Sequence, residues 1–98
     1  MLTPRQRQYL KAQAHPLKAN VHIGKAGLTD ALAQELDIML DSLELMKLRL
    51  NQNTGIDAEA AVEALKAKGP GLEVVRVLGH TVLVFRASRT RPTAYPLA

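Results

Sequence analysis

Hydrophobic and polar positions change their spacing along this chain, and each change predicts a new element. Between residues 30 and 43, leucine and methionine recur at helical spacing, which predicts an amphipathic helix with one buried stripe. The segment 45–50 alternates between apolar and basic from its second residue on, which predicts a strand with its basic side chains outward. An apolar run at residues 17–23 predicts an earlier strand, which ends at Gly24.

Capping residues mark where the predicted helices begin and end. Thr3, Thr29 and Asp57 stand at N-cap positions, and Pro4 is suited to the first turn of a helix. Pro16 prevents the first helix from continuing. The helices predicted in this way span residues 4–14, 30–43 and 58–68.

Two apolar, β-branched runs close the pattern. Residues 72–78 and 81–85 are separated by Gly79-His80, a connection typical of a hairpin. Both faces of the run 81–85 are apolar, so we expect this last strand inside the sheet. Residues 87–98 lack periodicity and contain two prolines near their end, which predicts a basic, flexible C-terminal tail after a single domain at 1–86.

The element order is therefore helix, strand, helix, strand, helix, strand, strand. Strands joined through helices run parallel by right-handed crossovers, whereas the final hairpin makes the last strand antiparallel. The predicted fold class is α/β, with a mixed four-stranded sheet and three helices.

Composition limits the possible classes of protein. The chain has 98 residues, 47% of them hydrophobic, which suits one compact domain. No apolar run approaches the ~20 residues that span a bilayer, and the first residues lack a secretory signal, so we expect a soluble, cytoplasmic protein. The absence of cysteine excludes disulfides and thiolate chemistry.

Charge is unevenly distributed along the chain. The net charge is +4, but residues 1–27 contain five basic and no acidic side chains, and residues 28–44 contain five acidic and no basic ones. This separation favours an oriented encounter with a polyanion. Two solvated helix faces would give the same pattern, and that alternative stays open.

The segment Gly24-Lys25-Ala26-Gly27 is a candidate phosphate-binding loop. Glycines allow a phosphate to approach backbone N–H groups, and the helix that follows directs its positive end toward the same place. The same glycines also fit a purely structural turn. A Walker-type loop is excluded because Ala26 replaces the serine or threonine that would hold magnesium.

Other chemistries lack the residues they need. The three histidines, His15, His22 and His80, have no metal-ligand spacing, and no nucleophile, base and orienting group can be assembled. We therefore expect no enzyme activity, no metal and no cofactor. The chain has only two tyrosines and one phenylalanine, which disfavours stacking on RNA bases and leaves contact with phosphates.

Four motifs in order resemble the CRM domain family, and in particular its stand-alone bacterial YhbY-like form. The motifs are LKAQAHPLK (10–18), IGKAGLT (23–29), LELMKL (43–48) and GHTVLVFR (79–86), and the resemblance extends over nearly the entire chain up to about Arg86. The resemblance implies an RNA-binding module with a fold similar to the C-terminal domain of translation initiation factor 3. It also implies a two-layer arrangement with strand order 1-2-4-3.

The resemblance further implies association with ribosomal RNA of precursor large ribosomal subunits during ribosome assembly. We expect the protein to be a monomer without a membrane partner. The family's glycine loop maps onto Gly24, Lys25, Ala26 and Gly27 as the RNA contact. Further basic residues would broaden this surface; they are Arg7, Lys11, Lys18, Lys47 and Arg49. The alternative is a protein-interaction adaptor that docks a basic ribosomal protein on the acidic second helix.

Overall fold

The structure, a computed structural model, describes residues 2–19, 21–24, 29–51, 58–68, 71–90 and 92–95. Its elements are α1 (Pro4–Ala14), β1 (Val21–Ile23), α2 (Asp30–Leu43), β2 (Leu45–Leu50), α3 (Ala58–Lys68), β3 (Glu73–Leu78) and β4 (Thr81–Phe85). The sheet order is β1-β2-β4-β3, with β1 parallel to β2 and the other two pairs antiparallel. The predicted mixed α/β fold and strand order are confirmed.

Both helix starts that the structure describes are capped as predicted. Thr3 Oγ1 accepts a hydrogen bond from the Gln6 amide at 3.1 Å, and Gln6 Oε1 accepts one from the Thr3 amide at 2.9 Å. Thr29 Oγ1 accepts from the Leu32 amide at 3.1 Å. These bonds satisfy amides that lack an intrahelical partner, so each helix begins at a defined residue. The predicted cap at Asp57 lies outside the described residues.

The sheet is covered on both faces. On one face α1 packs over the α1-side cluster, which consists of Leu2, Leu10, Ala14, Leu45, Val75, Leu83 and Phe85. On the other face α2 and α3 pack over a cluster made of Leu36, Leu40, Met46, Leu48, Leu65, Val82 and Val84. The predicted two-layer arrangement describes the sheet with α2 and α3, and α1 adds a layer on the opposite face.

Strand β4 contributes to both clusters. Val82 and Val84 face α2 and α3, while Leu83 and Phe85 face α1, and all four are buried. A strand that is buried on both faces needs a neighbour on each side to complete its hydrogen bonds. The predicted interior position of this strand is confirmed.

Strand β1 is shorter than the sequence predicted. It begins at Val21 rather than at Leu17, and residues 17–19 lie outside the sheet ladder. The Leu17 amide donates to the Ala14 carbonyl at 2.9 Å, and the Leu17 carbonyl accepts from Lys47 Nζ at 2.7 Å. The backbone of Leu17 is therefore bonded to α1 and to a side chain of β2 instead of to a strand.

A buried glutamate holds the C-terminal segment on the domain. Glu44 follows α2 with a positive φ of 64°, and its side chain is fully buried. One carboxylate oxygen accepts from the Ser88 amide at 3.0 Å and from the Thr93 hydroxyl at 2.6 Å, and the other accepts from the Ala94 amide at 2.8 Å. The connection after α2 thus binds two separate stretches of the chain's end.

An aromatic contact adds to this attachment. The Tyr95 ring meets Phe85 edge-on, with ring centroids 6.2 Å apart. The described residues 87–90 and 92–95 therefore have contacts with the domain that their sequence did not indicate. The mobility of residues 87–98 stays a prediction.

The described residues contain neither a candidate membrane span nor a candidate metal site. None of their helices has the length and apolar character needed to cross a membrane. Within the same residues, no three or more His, Asp or Glu side chains are grouped so as to hold a metal ion.

We predict that Glu44→Gln lowers the free energy of unfolding by about 2 kcal/mol. The side-chain NH2 group of glutamine is a donor, and it would face a backbone N–H group whose hydrogen bond a carboxylate oxygen now accepts. Urea unfolding measures the change. Glu35→Gln is the matched control, since Glu35 is exposed on the same α2, and it should change stability by less than about 0.5 kcal/mol. Equal effects of the two substitutions would show that the Glu44 carboxylate does not hold the C-terminal segment.

Candidate nucleic-acid interface

Helix α1 leaves one end of its sheet face uncovered. The register places Arg49 of β2 opposite Thr81 of β4, and Thr81 opposite Leu78 of β3, so these side chains form one row across three strands. His22 of β1 pairs with Arg49 and extends the row. His22 and Arg49 are exposed, and Leu78 is 61% exposed. The row therefore forms an open floor beyond the region where α1 packs.

This floor belongs to a groove of about 360 Å³, which we call the basic groove. Its cationic side chains come from three elements: Lys11 from α1, Lys47 and Arg49 from β2, and Arg76 from β3. His15 lies at the α1 end of the groove. The other described lining residues are apolar or hydroxylic, and no carboxylate is among them. Four cations around one concave surface without an acid create a field that attracts anions.

Three of the residues predicted from sequence meet in the basic groove, namely Lys11, Lys47 and Arg49. The bond from Lys47 to the Leu17 carbonyl fixes the segment 17–19, which forms one wall. Lys18 is exposed within that segment, between two residues that line the groove. The groove thus brings together predicted basic residues, Lys11 and Arg49, that are 38 positions apart in sequence.

Arg7 lies elsewhere. Its Nη1 donates to the Val74 carbonyl at 2.7 Å and to the Val75 carbonyl at 3.0 Å, so its guanidinium is bound to β3. The sequence placed Arg7 and Lys11 on one helix face, and the structure shows that only Lys11 lines the basic groove. A direct contact of Arg7 with RNA stays a prediction.

Arg76 and His15 were not predicted to belong to the site. Arg76 stands in a valine-rich strand, and simple alternation does not place it on the same face as its buried neighbour Val75. His15 was interpreted as a polar group near the end of the first helix. Its place beside Lys11 depends on how α1 crosses the sheet, which no local pattern encodes.

The glycine loop begins next to the basic groove. Gly24 directly follows β1, two residues after His22 in the uncovered row. A Cβ atom at Gly24 would lie 3.8 Å from Asn51 Nδ2, an ordinary contact distance, so packing does not require glycine there. The predicted contacts Lys25, Ala26 and Gly27 lie outside the described residues.

Comparison with known proteins assigns the family. A sequence model of the CRS1 / YhbY (CRM) domain matches residues 2–86. The chain belongs to the CRM domain family. The Bacillus subtilis protein named "Probable RNA-binding protein YqeI" is 32% identical over 89 residues, covering 91% of this chain and 92% of that protein. An "RNA-binding protein" of Haemophilus influenzae is 29% identical over 97 residues, covering 97% of this chain and 95% of its own.

A solved structure agrees with this assignment. The solution structure of protein SAV1595 from Staphylococcus aureus matches this CRM domain with a TM-score of 0.74 and 30% sequence identity. The match covers 98% of this chain and 100% of that one. The arrangement of helices and strands is therefore shared with a protein of the same size range.

The acidic second helix of this CRM domain is engaged by its own C-terminal segment. Arg86 Nη1 donates to Asp37 Oδ1 at 2.6 Å, and Arg89 Nη2 donates to Asp37 Oδ2 at 2.9 Å and to Asp41 Oδ2 at 2.8 Å. Glu44 is buried. The open alternative of a solvated helix face therefore does not hold for Asp41 and Glu44, whereas Asp37 pairs with two arginines and keeps 45% of its side chain exposed. The alternative of a protein-interaction adaptor loses its main support, because Asp37 and Asp41 of the helix that would dock the partner already pair with arginines of the same chain.

These pairs shift the protonation of the carboxyls. Hydrogen bonds from Arg86 and Arg89 hold the pKa of Asp37 below its usual value, and hydrogen bonds from Arg89 hold the pKa of Asp41 well below it. A carboxyl with a lowered pKa in the folded state stabilises that state at pH values above its unfolded pKa, near ~3.9. The stabilisation is lost as the pH falls through the lower, folded-state pKa.

We predict that the double substitution Asp37→Asn, Asp41→Asn lowers the urea midpoint most near neutral pH, with the difference from the parent shrinking as the pH falls toward about 2. Urea unfolding over about pH 2 to 7 measures this dependence. Glu63→Gln, an exposed carboxyl of α3, should leave the acid limb of the profile unchanged. A difference between parent and double variant that is constant across the pH range would contradict the pairing.

Proposed function

We propose that this CRM domain binds ribosomal RNA of precursor large ribosomal subunits and assists their assembly as a binding protein rather than an enzyme. The main support for the proposal is the basic groove, where Lys11, Lys47, Arg49 and Arg76 line one surface and no carboxylate is among the described lining residues. Relatives that carry RNA-binding in their names support RNA as the polyanion. The ribosomal target is supported by the family resemblance of the four sequence motifs.

The groove suits the sugar-phosphate backbone better than the bases. Its cations can neutralise phosphates, and Thr81 adds a hydroxyl that can donate to a phosphate oxygen. No tyrosine, tryptophan or phenylalanine is among the described residues that line it, so the groove lacks the large aromatic surfaces on which bases usually stack. Affinity should therefore depend steeply on salt and weakly on sequence.

The glycine loop is proposed as a second RNA contact beside the groove. Gly24 and Arg49 lie at the same end of two neighbouring strands, because Ile23 and Leu50 are register partners at the C-terminal ends of the parallel strands β1 and β2. Because the described structure does not need glycine at position 24, close approach of RNA to the backbone is a reason for it. Lys25 would pair a phosphate, and Gly27 would admit the backbone as Gly24 does.

We predict that crosslinking in cells recovers mainly large-subunit ribosomal RNA and its precursors attached to this protein. Arg49→Ala should lower the yield of attached RNA, since it removes one cation from the floor of the groove. Lys66→Ala should leave the yield unchanged because Lys66 is exposed on α3, behind the opposite sheet face. Predominant recovery of messenger or transfer RNA would overturn the ribosomal assignment. Equal yields from the two variants would overturn the proposal that the basic groove contacts RNA.

We predict that Gly24→Asp weakens binding to a large-subunit ribosomal RNA fragment more than tenfold, because it sets a carboxylate where phosphate approaches. Filter binding across a salt series measures the affinity. Gly24→Ala is the matched control, and melting curves of both variants should stay close to the parent because a Cβ atom fits. Unchanged affinity of a folded Gly24→Asp variant would make the loop a structural turn and leave the basic groove as the RNA contact.

A further inference from the structure

We propose that Arg76 contacts RNA phosphates in the basic groove and that Arg7 is a positioning residue, which holds the bulge in β3 that directs Arg76 there. The inference rests on the proposed function and adds to it a pair of residues with different roles. Both roles depend on the register of β3 against β4.

The bulge is visible in the pairing of β3 with β4. Val74 is opposite Val84, and Arg76 is opposite Leu83, although Val84 and Leu83 are consecutive. Val75 is therefore an extra residue, and two residues of β3 oppose one residue of β4. A bulge of this kind interrupts the strict alternation of side chains between the two faces of a sheet.

The interruption decides which face Arg76 occupies. Val74 packs against the cluster under α2 and α3, while Val75 is buried in the α1-side cluster. In a regular strand Arg76 would return to the face of Val74 and meet the apolar layer of α2 and α3. With the bulge, Arg76 stays on the α1 face next to Val75, where it is exposed and lines the basic groove.

Arg7 stabilises the bulge directly. A bulge breaks the local ladder and leaves backbone groups that need other partners. The half-buried Arg7 guanidinium donates from one nitrogen to the two carbonyls at the bulge, those of Val74 and Val75. Charge-assisted bonds to both carbonyls favour the bulged register over the regular one.

The position of Arg76 suits a shared ligand. Lys47 and Arg76 pair with the same residue, Leu83, from its two sides. Strands lie about 4.8 Å apart, so the backbones at these two residues are roughly 10 Å apart on one face. One RNA strand that crosses the groove can therefore place phosphates near both cations.

The test is a double-mutant cycle on RNA binding by the full chain. Fluorescence anisotropy with a labelled oligouridylate and with a labelled large-subunit ribosomal RNA fragment, over a salt series, gives affinity and its salt dependence. Arg76→Ala should weaken both RNAs by about fivefold and flatten the salt slope by roughly one unit. Arg7→Ala should weaken binding in the parent background but cause no further loss of slope in the Arg76→Ala background.

Two further variants keep the test decisive. Arg5→Ala removes an exposed cation from the same helix, and its effect should be small and additive with that of Arg76→Ala. Arg7→Met keeps the apolar stem but removes the donors to the two carbonyls, so it should weaken binding even if Arg7→Ala fails to fold. Circular dichroism and melting curves confirm that each variant used is folded.

Each outcome has a definite meaning. Unchanged RNA affinity of a folded Arg76→Ala variant would overturn the proposed contact between Arg76 and RNA phosphates. A further flattening of the slope when Arg7→Ala is added to Arg76→Ala would show that Arg7 binds phosphate itself. Parent-like affinity of a folded Arg7→Met variant would show that Arg7 is not a positioning residue. If the parent chain binds neither RNA, the proposed function fails; if it binds and Arg49→Ala weakens it while Arg76→Ala does not, only this inference fails.

Discussion

A single helix, α1, packs on one side of a four-stranded sheet in this protein and is too small to cover it, and that mismatch shapes the rest of the molecule. The outer strands of such a sheet are about 14 Å apart, whereas a helix with its side chains is roughly 10 Å wide. The 11 residues of α1 extend about 16 Å, and they pack over the α1-side cluster at one end of the face. The uncovered end has to be compatible with water, and the chain places Arg49, Thr81 and Arg76 there. The basic groove is thus a direct result of incomplete coverage.

Local signals in the sequence were sufficient for the number and order of the elements, although β1 begins later than predicted, and the full strand order came from the family resemblance. Thr3 and Thr29 act as caps where predicted, and the two apolar faces of β4 correctly placed it inside the sheet. The groove was predicted only in part, because Lys47 and Arg49 follow from alternation along one strand, whereas Arg76 depends on a bulge. Alternation assumes one residue per pleat, and nothing in the run of valines indicates where an extra residue is inserted.

The C-terminal segment was missed for a different reason. Its attachment consists of polar contacts between residues more than 40 positions apart, such as those of Glu44 with Ser88 and of Asp37 with Arg86. The segment has no periodicity, and nothing in its sequence indicates that its backbone amides donate hydrogen bonds to a buried carboxylate elsewhere in the chain. The acidic residues of α2 and the arginines after β4 each resemble solvent-exposed charges when they are considered separately. Only the fold brings them together, and it thereby separates an internally paired acidic helix from the basic groove on the opposite face.

The bulge at Val75 also affects whether the edge of the sheet can pair with a strand of a second molecule of the protein. Strand β3 lies at the edge of the sheet, and its exposed apolar residues Val77 and Leu78 would suit pairing with another strand. An extra residue in the middle of this strand breaks the regular spacing of amides and carbonyls that such a partner would need, and the guanidinium of Arg7 occupies two of those carbonyls. The register that turns Arg76 toward the groove thereby also protects the open edge of the sheet against aggregation.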